Sequence, residues 1–188
     1  MRITISGPPG SGKTTVAEIL SSRLSMDLVV GGRIFREWAE RMNISLSELG
    51  SIAEEQDKID RSMDDYLLTV LRQKDNIIVE SRLAGWLCYL NGIEAFKVFI
   101  DAREDVRIAR IIASMSERSG EKGRNVLNET RERERSEAER YRKYYGIDYS
   151  DKSIYNSIVD SSDISAQDVV EVIISALGIW QKSGGTEH

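Results

Sequence analysis

The sequence predicts an α/β fold in which a parallel sheet of about five strands is covered by helices on both faces. Short apolar runs alternate along the chain with stretches whose apolar residues recur at helical spacing, and this alternation is typical of parallel sheets. The first apolar run also leads into a glycine-rich motif that opens a helical pattern. A length of 188 residues is enough for one domain with a substantial core.

The glycine-rich motif is Gly7-Pro8-Pro9-Gly10-Ser11-Gly12-Lys13-Thr14, followed by Thr15, and it has the G-x-x-x-x-G-K-[ST] spacing of a phosphate-binding loop. Its glycines allow backbone N–H groups to point at one anion, and the N-terminus of the next helix adds positive charge. In such loops the lysine reaches the β- and γ-phosphates of a nucleotide, and the hydroxyl after it holds Mg²⁺. We therefore predict a nucleotide site with Mg²⁺ as cofactor and Thr14 as its metal ligand.

The remaining elements follow from the same alternation. Apolar runs predict further strands, and the residues at their carboxyl ends are expected at one edge of the sheet, where ligands bind. These strands are Leu28–Val30, Ile77–Glu80, Phe96–Asp101 and Ile158–Asp160. Helical patterns follow the phosphate loop and fill much of 33–74, where Ser45–Glu48 is a capping-box signature. A further helix is predicted from about Glu104 to Met115, and the charged stretch 117–143 is predicted to be a solvated helix with i,i+4 ion pairs. The last predicted helix has Val169, Ile173, Leu177 and Trp180 on one face.

Composition excludes several functions. A net charge of −5 leaves no overall positive field for a nucleic-acid polymer, and no apolar run is long enough to span a membrane. The chain begins directly in a strand without the pattern of a signal peptide, so we expect a cytoplasmic protein. The single cysteine, Cys88, lies in an apolar run and is expected to be a buried, inert thiol, while the single histidine, His188, lies in a polar tail. Histidine or thiolate metal sites are therefore not expected.

Absent motifs narrow the nucleotide chemistry. The chain has neither the D-x-x-G nor the N-K-x-D motif of a GTPase. Arginines are instead scattered through 33–74, just after the predicted strand Ile77–Glu80 and in the charged stretch 117–143. Phosphoryl transfer asks mainly for positioning and charge stabilisation, so arginines around two phosphate groups suit it well.

Four segments carry a more specific resemblance. In their order they resemble the motifs of cytidylate kinases, most closely the short archaeal type, and the resemblance extends from Arg2 to about Trp180. The segments are Gly31-Gly32-Arg33-Ile34-Phe35-Arg36, Glu80-Ser81-Arg82-Leu83-Ala84-Gly85-Trp86, Glu132-Arg133-Glu134 with Glu137 and Arg140-Tyr141, and Ile158-Val159-Asp160-Ser161-Ser162.

The resemblance implies a P-loop NTPase-type three-layer fold with ATP as donor and a nucleoside monophosphate as acceptor. It divides the single domain 1–188 into a core (1–30, 75–116 and 146–181), an acceptor-binding insert (31–74), a lid (117–145) and a disordered tail (182–188). It implies catalytic roles for Lys13 and for the lid residues Arg133 and Arg140. The implied acceptor residues are Gly31, Arg36, Asp60, Arg61, Arg82 and Glu137, and the segment Asp160–Ser162 is implied for the donor base. In an arbitrary protein each of these arginines is more often part of a surface ion pair.

Two departures affect the acceptor site. Bacterial relatives have Asp-Gly-Arg-Asp where this chain has Glu80-Ser81-Arg82-Leu83, so the second acid, which helps to read the base, is missing here. Glu137 stands where those relatives have an aspartate that contacts the acceptor, and a helical ion pair with Arg133 is the alternative for it. Asp60 and neighbouring polar residues of the insert are the alternative source of base contacts.

The expected function is transfer of the γ-phosphoryl group of ATP to CMP or dCMP. A monophosphate kinase for AMP or UMP is the alternative, although the D-G-[FY]-P-R segment of adenylate kinases is replaced by Glu80–Ala84, and a shikimate-type kinase lacks support because its Gly-Gly-Gly segment is absent. A regulatory module without turnover is the alternative from another class. No nucleic-acid or membrane partner is expected; the oligomeric state is open, with a monomer favoured.

Overall fold

The computed structural model describes residues 1–55, 57–119 and 126–184. As predicted, its five strands pair in parallel; their order in the sheet is β2-β3-β1-β4-β5. The strands are β1 (Arg2–Ser6), β2 (Asp27–Val30), β3 (Ile77–Glu80), β4 (Phe96–Asp101) and β5 (Ser157–Asp160). The helices in these ranges are α1 (Lys13–Leu24), α2 (Gly31–Met42), α3 (Leu46–Glu55), α4 (Asp57–Gln73), α5 (Ala84–Leu90), α6 (Glu104–Ser119), α7 (Val126–Tyr145) and α8 (Ala166–Lys182).

The helices cover both faces of the sheet, which confirms the three-layer prediction. Successive side chains of a strand point to opposite faces, and β3 illustrates the result. Ile78 joins a buried cluster with residues of α1 and α8, whereas Ile77 and Val79 join a second cluster with residues of α4 and α5. Because both faces are buried, the strands consist of near-continuous apolar runs.

Three features differ from the expectation or extend it. Helix α5 was not predicted, because a seven-residue segment buried over most of its length has no polar face to reveal its period. It carries Cys88, which is fully buried as expected.

The insert, 31–74, consists of α2, α3 and α4. The predicted capping box is formed: Ser45 N donates to Glu48 Oε2 at 2.7 Å, and Glu48 N donates to Ser45 Oγ at 3.1 Å.

The charged stretch and the tail also differ. Within the described part of this stretch, residues 117–119 end α6 and residues 126–143 belong to α7. Ion pairs cross between the two helices as well as running along α7, with Arg131 paired to Glu104 at 2.7 Å. Helix α8 ends at Lys182, which was assigned to the tail, and 185–188 lie outside the described residues. No helix in the described ranges has both the length and the apolarity to cross a membrane.

The strand register places the expected loops at one edge. Val30 of β2 and Ile5 of β1 both pair with Glu80 of β3. On the other side, Asp101 of β4 pairs with Asp160 of β5. The phosphate loop, the start of α2 and the segment after β3 therefore leave the sheet side by side, in the position that parallel sheets use for ligands.

Replacement of Ile5 by alanine tests the central position of β1. Ile5 is completely buried, so Ile5→Ala is expected to lower the free energy of unfolding by about 2–5 kcal/mol in a urea titration. The control is Ile158→Ala in the edge strand β5, where the side chain is 53% exposed and the change is expected to stay within about 0.5 kcal/mol. Equal losses in both variants would contradict this arrangement of the sheet.

Candidate active site

The phosphate loop is packed so closely that two of its residues cannot carry a side chain. Gly7 and Gly10 have φ of 145° and 74°, in the region that favours glycine. A Cβ on Gly7 would lie 2.0 Å from the carbonyl oxygen of Ile100, and one on Gly10 would lie 2.4 Å from that of Arg107. The loop therefore owes its shape to contacts with β4 and α6 as well as to its own sequence.

Two side chains from outside the loop donate to its carbonyl groups, and a third holds one of these two in place. Arg107 of α6 donates to Pro9 O at 3.2 Å, and the hydroxyl of Ser161, just after β5, donates to Ser11 O at 2.9 Å. Arg110 in turn donates to Ser161 O at 2.7 Å and to Ser161 Oγ at 3.0 Å. Sequence reasoning assigned no role to Arg107 or Arg110, since arginines on a helix with apolar positions resemble ordinary surface charges. Ser161 was implied in donor-base binding, a prediction that remains open.

Lys13 is the first residue of α1, directly after the last glycine of the loop. Its side chain is buried, and Nζ donates to Pro8 O at 2.7 Å. The pKa of Lys13 is lowered from 10.5 to about 8, chiefly by burial; Glu80 acts in the opposite direction, and Arg82, Arg107 and Arg133 contribute to the lowering. The group is thus a cation below about pH 8 that has lost most of its hydration and faces other cations, and an anionic ligand would relieve both costs.

The residue after this lysine offers an oxygen site suited to Mg²⁺. Thr14 Oγ1 donates to Glu80 Oε2 at 3.3 Å, so a hydroxyl and a carboxylate meet beside the phosphate loop. Mg²⁺ prefers oxygen ligands and is usually bound through one or two protein groups together with water and substrate phosphates. Among the described residues no group of three or more His, Cys, Asp or Glu side chains is arranged to hold a metal. The donor set therefore fits an ion held jointly by protein and nucleotide.

Two arginines from different parts of the chain converge on one carboxylate. Glu137 of α7 is 7% exposed; it forms an ion pair with Arg82, which follows β3, and accepts from Arg133 Nε at 3.0 Å. The helical ion pair between Glu137 and Arg133 is thus present. Both arginines also lower the pKa of Lys13, so the ion pairs of Glu137 lie within electrostatic range of the phosphate loop.

The other implied site residues are placed as follows. Gly31 is buried where a Cβ would lie 3.1 Å from Ser81 Cβ, at the same sheet edge as the loop. Arg36 is exposed on α2, and Arg61 is exposed on α4 with its guanidinium 5.3 Å from the centre of the Tyr144 ring. Arg140 donates to Ser136 Oγ at 2.5 Å. Thr15 is exposed in the first turn of α1, and the side chain of Asp60 lies outside the described residues.

A cavity of about 460 Å³ separates the phosphate loop from α7. It is lined by Pro8 and Pro9 on one side, by Arg82 and Glu137 on another, and by Tyr141 and Tyr149 deeper in. Its size lies within the range of small-molecule sites. The cavity brings together residues that the sequence predicted for the donor and for the acceptor.

Binding of ATP with Mg²⁺ is expected to weaken as pH rises through about 8, because Lys13 loses its proton there in the free protein. Calorimetric titration on both sides of that pH measures the effect. The pKa of Lys13 is lower in the folded chain than in the unfolded one, so the free protein is expected to gain stability as pH rises from about 8 toward 10.5. The two trends are opposite in sign, and an ATP affinity that does not change over this range contradicts the assigned role of Lys13.

Comparison with known proteins shows which family the chain resembles. A family model described as the cytidylate kinase-like family matches residues 2–163. A cytidylate kinase of Sulfolobus acidocaldarius is 39% identical over 177 residues, 94% of each chain. A cytidylate kinase of Natronomonas pharaonis is 43% identical over 181 residues, 96% of this chain and 91% of the relative.

Among solved structures, a shikimate kinase of Bacteroides thetaiotaomicron covers 99% of both chains with a TM-score of 0.62 and 16% identity. At that identity the likeness concerns the fold alone. The family is shown instead by the full-length sequence relatives and by a family model that spans the phosphate loop, both site arginines and the end of β5. This chain belongs to the cytidylate kinase-like family.

Proposed function

We propose that this protein transfers the γ-phosphoryl group of ATP to CMP or dCMP, giving ADP and CDP or dCDP. The observation that carries the proposal is the convergence of Arg82 and Arg133 on Glu137 beside Lys13. A donor site alone needs only the phosphate loop. Arg82 and Arg133 are two further cations beside that loop. One can bind the phosphate of a second nucleotide, and the other can stabilise the negative charge of the phosphoryl group during transfer.

On the donor side, Lys13 binds the β- and γ-phosphates of ATP, and the backbone N–H groups of the phosphate loop donate hydrogen bonds to the same phosphates. Thr14 and Glu80 would hold Mg²⁺, which when bound neutralises charge on the donor phosphates. Burial of Lys13 makes its charge act through little water, so its attraction for the phosphates is stronger than at an exposed position.

On the acceptor side, Arg82 binds the monophosphate of CMP, with Arg36 and Arg61 of the insert as the further proposed ligands. An ionised phosphate oxygen attacks the γ-phosphorus, and the bond to the departing ADP oxygen breaks. No general base is required, because the attacking oxygen carries no proton. Arg133 and Arg140 stabilise the transferring group as the lid, 117–145, closes and excludes water.

Specificity for cytosine rests on the relatives rather than on a base-reading group in this chain. Leu83 stands in place of the second acid of the bacterial pattern, and an apolar side chain cannot accept a hydrogen bond from the cytosine amino group. CMP is the proposed acceptor because similar proteins along the whole chain carry the name cytidylate kinase. This activity implies the cytoplasm, where its nucleotide substrates are found.

An assay of ADP release with ATP, Mg²⁺ and each nucleoside monophosphate in turn tests the acceptor. CMP or dCMP is expected to give the highest kcat/KM. Faster turnover with AMP or UMP would replace the base assignment and leave the kinase assignment intact. A lack of stimulation by every monophosphate would contradict the kinase assignment and favour a module that binds nucleotide without turnover.

Replacement of Arg82 separates the two halves of the site. Arg82→Ala is expected to lower kcat/KM for CMP about 100-fold, since a lost hydrogen bond to a charged group costs roughly 1.5–3 kcal/mol, with little change in the Kd for ATP. The matched control is Arg72→Ala on α4, where the arginine is exposed and bonds Asn91 at 2.8 Å. A loss of ATP affinity with normal CMP kinetics would place Arg82 on the donor instead.

A further inference from the structure

Arg107 of α6 lies between the phosphate loop and α7, and its buried guanidinium contacts both. Its Nε donates to the carbonyl oxygen of Ala102 at 3.2 Å, and its Nη1 donates to that of Pro9 at 3.2 Å. The same Nη1 donates to Glu134 Oε1 and forms an ion pair with it. One buried side chain therefore connects the loop that is proposed to bind ATP with the helix that carries Arg133.

The bond to Pro9 acts on the phosphate-binding group next to it. The peptide that joins Pro9 to Gly10 is trans, so its carbonyl and its N–H point in opposite directions. A guanidinium that holds the carbonyl on the outside of the loop aims the Gly10 N–H toward the inside, where the N–H groups of such a loop bind phosphate. Because a Cβ on Gly10 would lie 2.4 Å from the Arg107 carbonyl oxygen, the loop also has little room to move toward α6.

Glu134 holds this guanidinium from the side of α7. A buried cation needs a charged partner, and Glu134 is the carboxylate that pairs with Arg107. Glu134 lines the same cavity as Pro8 and Pro9 and directly follows Arg133 in the chain. The ion pair therefore fixes the separation between the phosphate loop and the turn of α7 that carries Arg133.

A second ion pair joins the same two helices without contacting the loop. Arg131 of α7 donates to both carboxylate oxygens of Glu104 at 2.7 Å, and the two side chains are 56% and 41% exposed. Neither residue is among those that line the cavity. This surface pair can hold α6 against α7, so what Arg107 and Glu134 add is the connection to the phosphate loop.

We propose that Arg107 and Glu134 are positioning residues for phosphoryl transfer, which keep Arg133 of α7 aligned with the phosphate loop. This inference rests on the proposed function, since it concerns the alignment of groups within that same site. Arg107 acts through the Gly10 N–H on the donor side, and Glu134 acts through the neighbouring Arg133. Because transfer depends on accurate alignment more than binding does, loss of Glu134 is expected to change the rate of the reaction rather than the affinity for either nucleotide.

Steady-state kinetics of Glu134→Ala with ATP and CMP tests the alignment. The kcat is expected to fall about tenfold or more, because a small displacement of a charge-stabilising group slows transfer strongly, while both KM values stay within about twofold. Glu134→Gln keeps an oxygen that can accept the hydrogen bond of Arg107 and is expected to recover most of the kcat. The assays are run below the melting temperature of each variant, which is expected to be lower in Glu134→Ala because buried Arg107 loses its charged partner.

The matched control is Glu104→Ala, which removes the surface ion pair between the same two helices. It is expected to leave kcat unchanged, because Glu104 does not line the cavity.

Arg107→Lys completes a double-mutant cycle with Glu134→Ala. Lysine has one side-chain nitrogen and cannot replace a guanidinium that uses both Nε and Nη1. The kcat is therefore expected to fall, and the Kd for ATP is expected to rise, because the Gly10 N–H loses its alignment. Once Arg107 is replaced, adding Glu134→Ala is expected to change kcat by less than about twofold, since the two residues act as a unit.

The outcomes separate this inference from the proposed function. A normal kcat in Glu134→Ala, or an equal loss in Glu104→Ala, overturns the inference and leaves the proposed function intact. Losses that add in the double variant also overturn it, because Glu134 would then act independently of Arg107. A Glu134→Gln variant as slow as Glu134→Ala would assign the effect to charge rather than to position, with the same consequence. If the wild-type protein turns over no monophosphate, the proposed function and the inference fall together.

Discussion

The site depends on holding several positive charges close together before any phosphate arrives. Arg82 and Arg133 both lie near enough to lower the pKa of Lys13, and the burial of Lys13 strengthens this repulsion. Two carboxylates offset it: Glu80 raises the pKa of Lys13, and Glu137 pairs with both arginines. A buried charge that loses its partner is strongly destabilising, so these two acids are what allows the cations to lie together.

This arrangement gives Glu137 a definite place in the proposed reaction. In the free protein its carboxylate occupies the position between Arg82 and Arg133 that an acceptor phosphate would share. The phosphate must then take over at least one of these arginines, which exchanges one ion pair for another at modest net cost. The arginines are therefore kept oriented in advance, and less ordering remains to be done when the nucleotide binds.

The layers of the fold meet at the phosphate loop. Ser161 after β5 and Arg107 of α6 bond the loop carbonyls directly, while Arg110 braces Ser161. Helix α7 faces the same site through Glu137 and reaches the insert at its far end, where Tyr145 donates to Asp64 at 2.6 Å. The phosphate loop, α4 and α7 are thus tied into one structure by polar contacts between elements that are distant along the chain.

The local pattern determined the α/β class, the five strands and the phosphate loop, because periodicity and the glycine motif act over a few neighbouring residues. Of the residues implied by the family resemblance, Gly31 and Arg82 lie at the predicted edge of the sheet. The seven-residue helix α5 remained hidden, since it is apolar on nearly every side. The roles of Arg107 and Arg110 remained hidden as well, since nothing near them in the sequence distinguishes a loop-bracing arginine from a solvated one.

What the sequence alone determined, then, is the succession of the five strands and the glycine motif of the phosphate loop, both of which depend on residues adjacent in the chain. Tertiary structure alone decided that Glu137 would hold Arg82 and Arg133 together, and that Arg107 would contact the phosphate loop and Glu134 at once. These are contacts between segments far apart in sequence. They are set by how the helices pack over the carboxyl edge of the sheet, which no local pattern records.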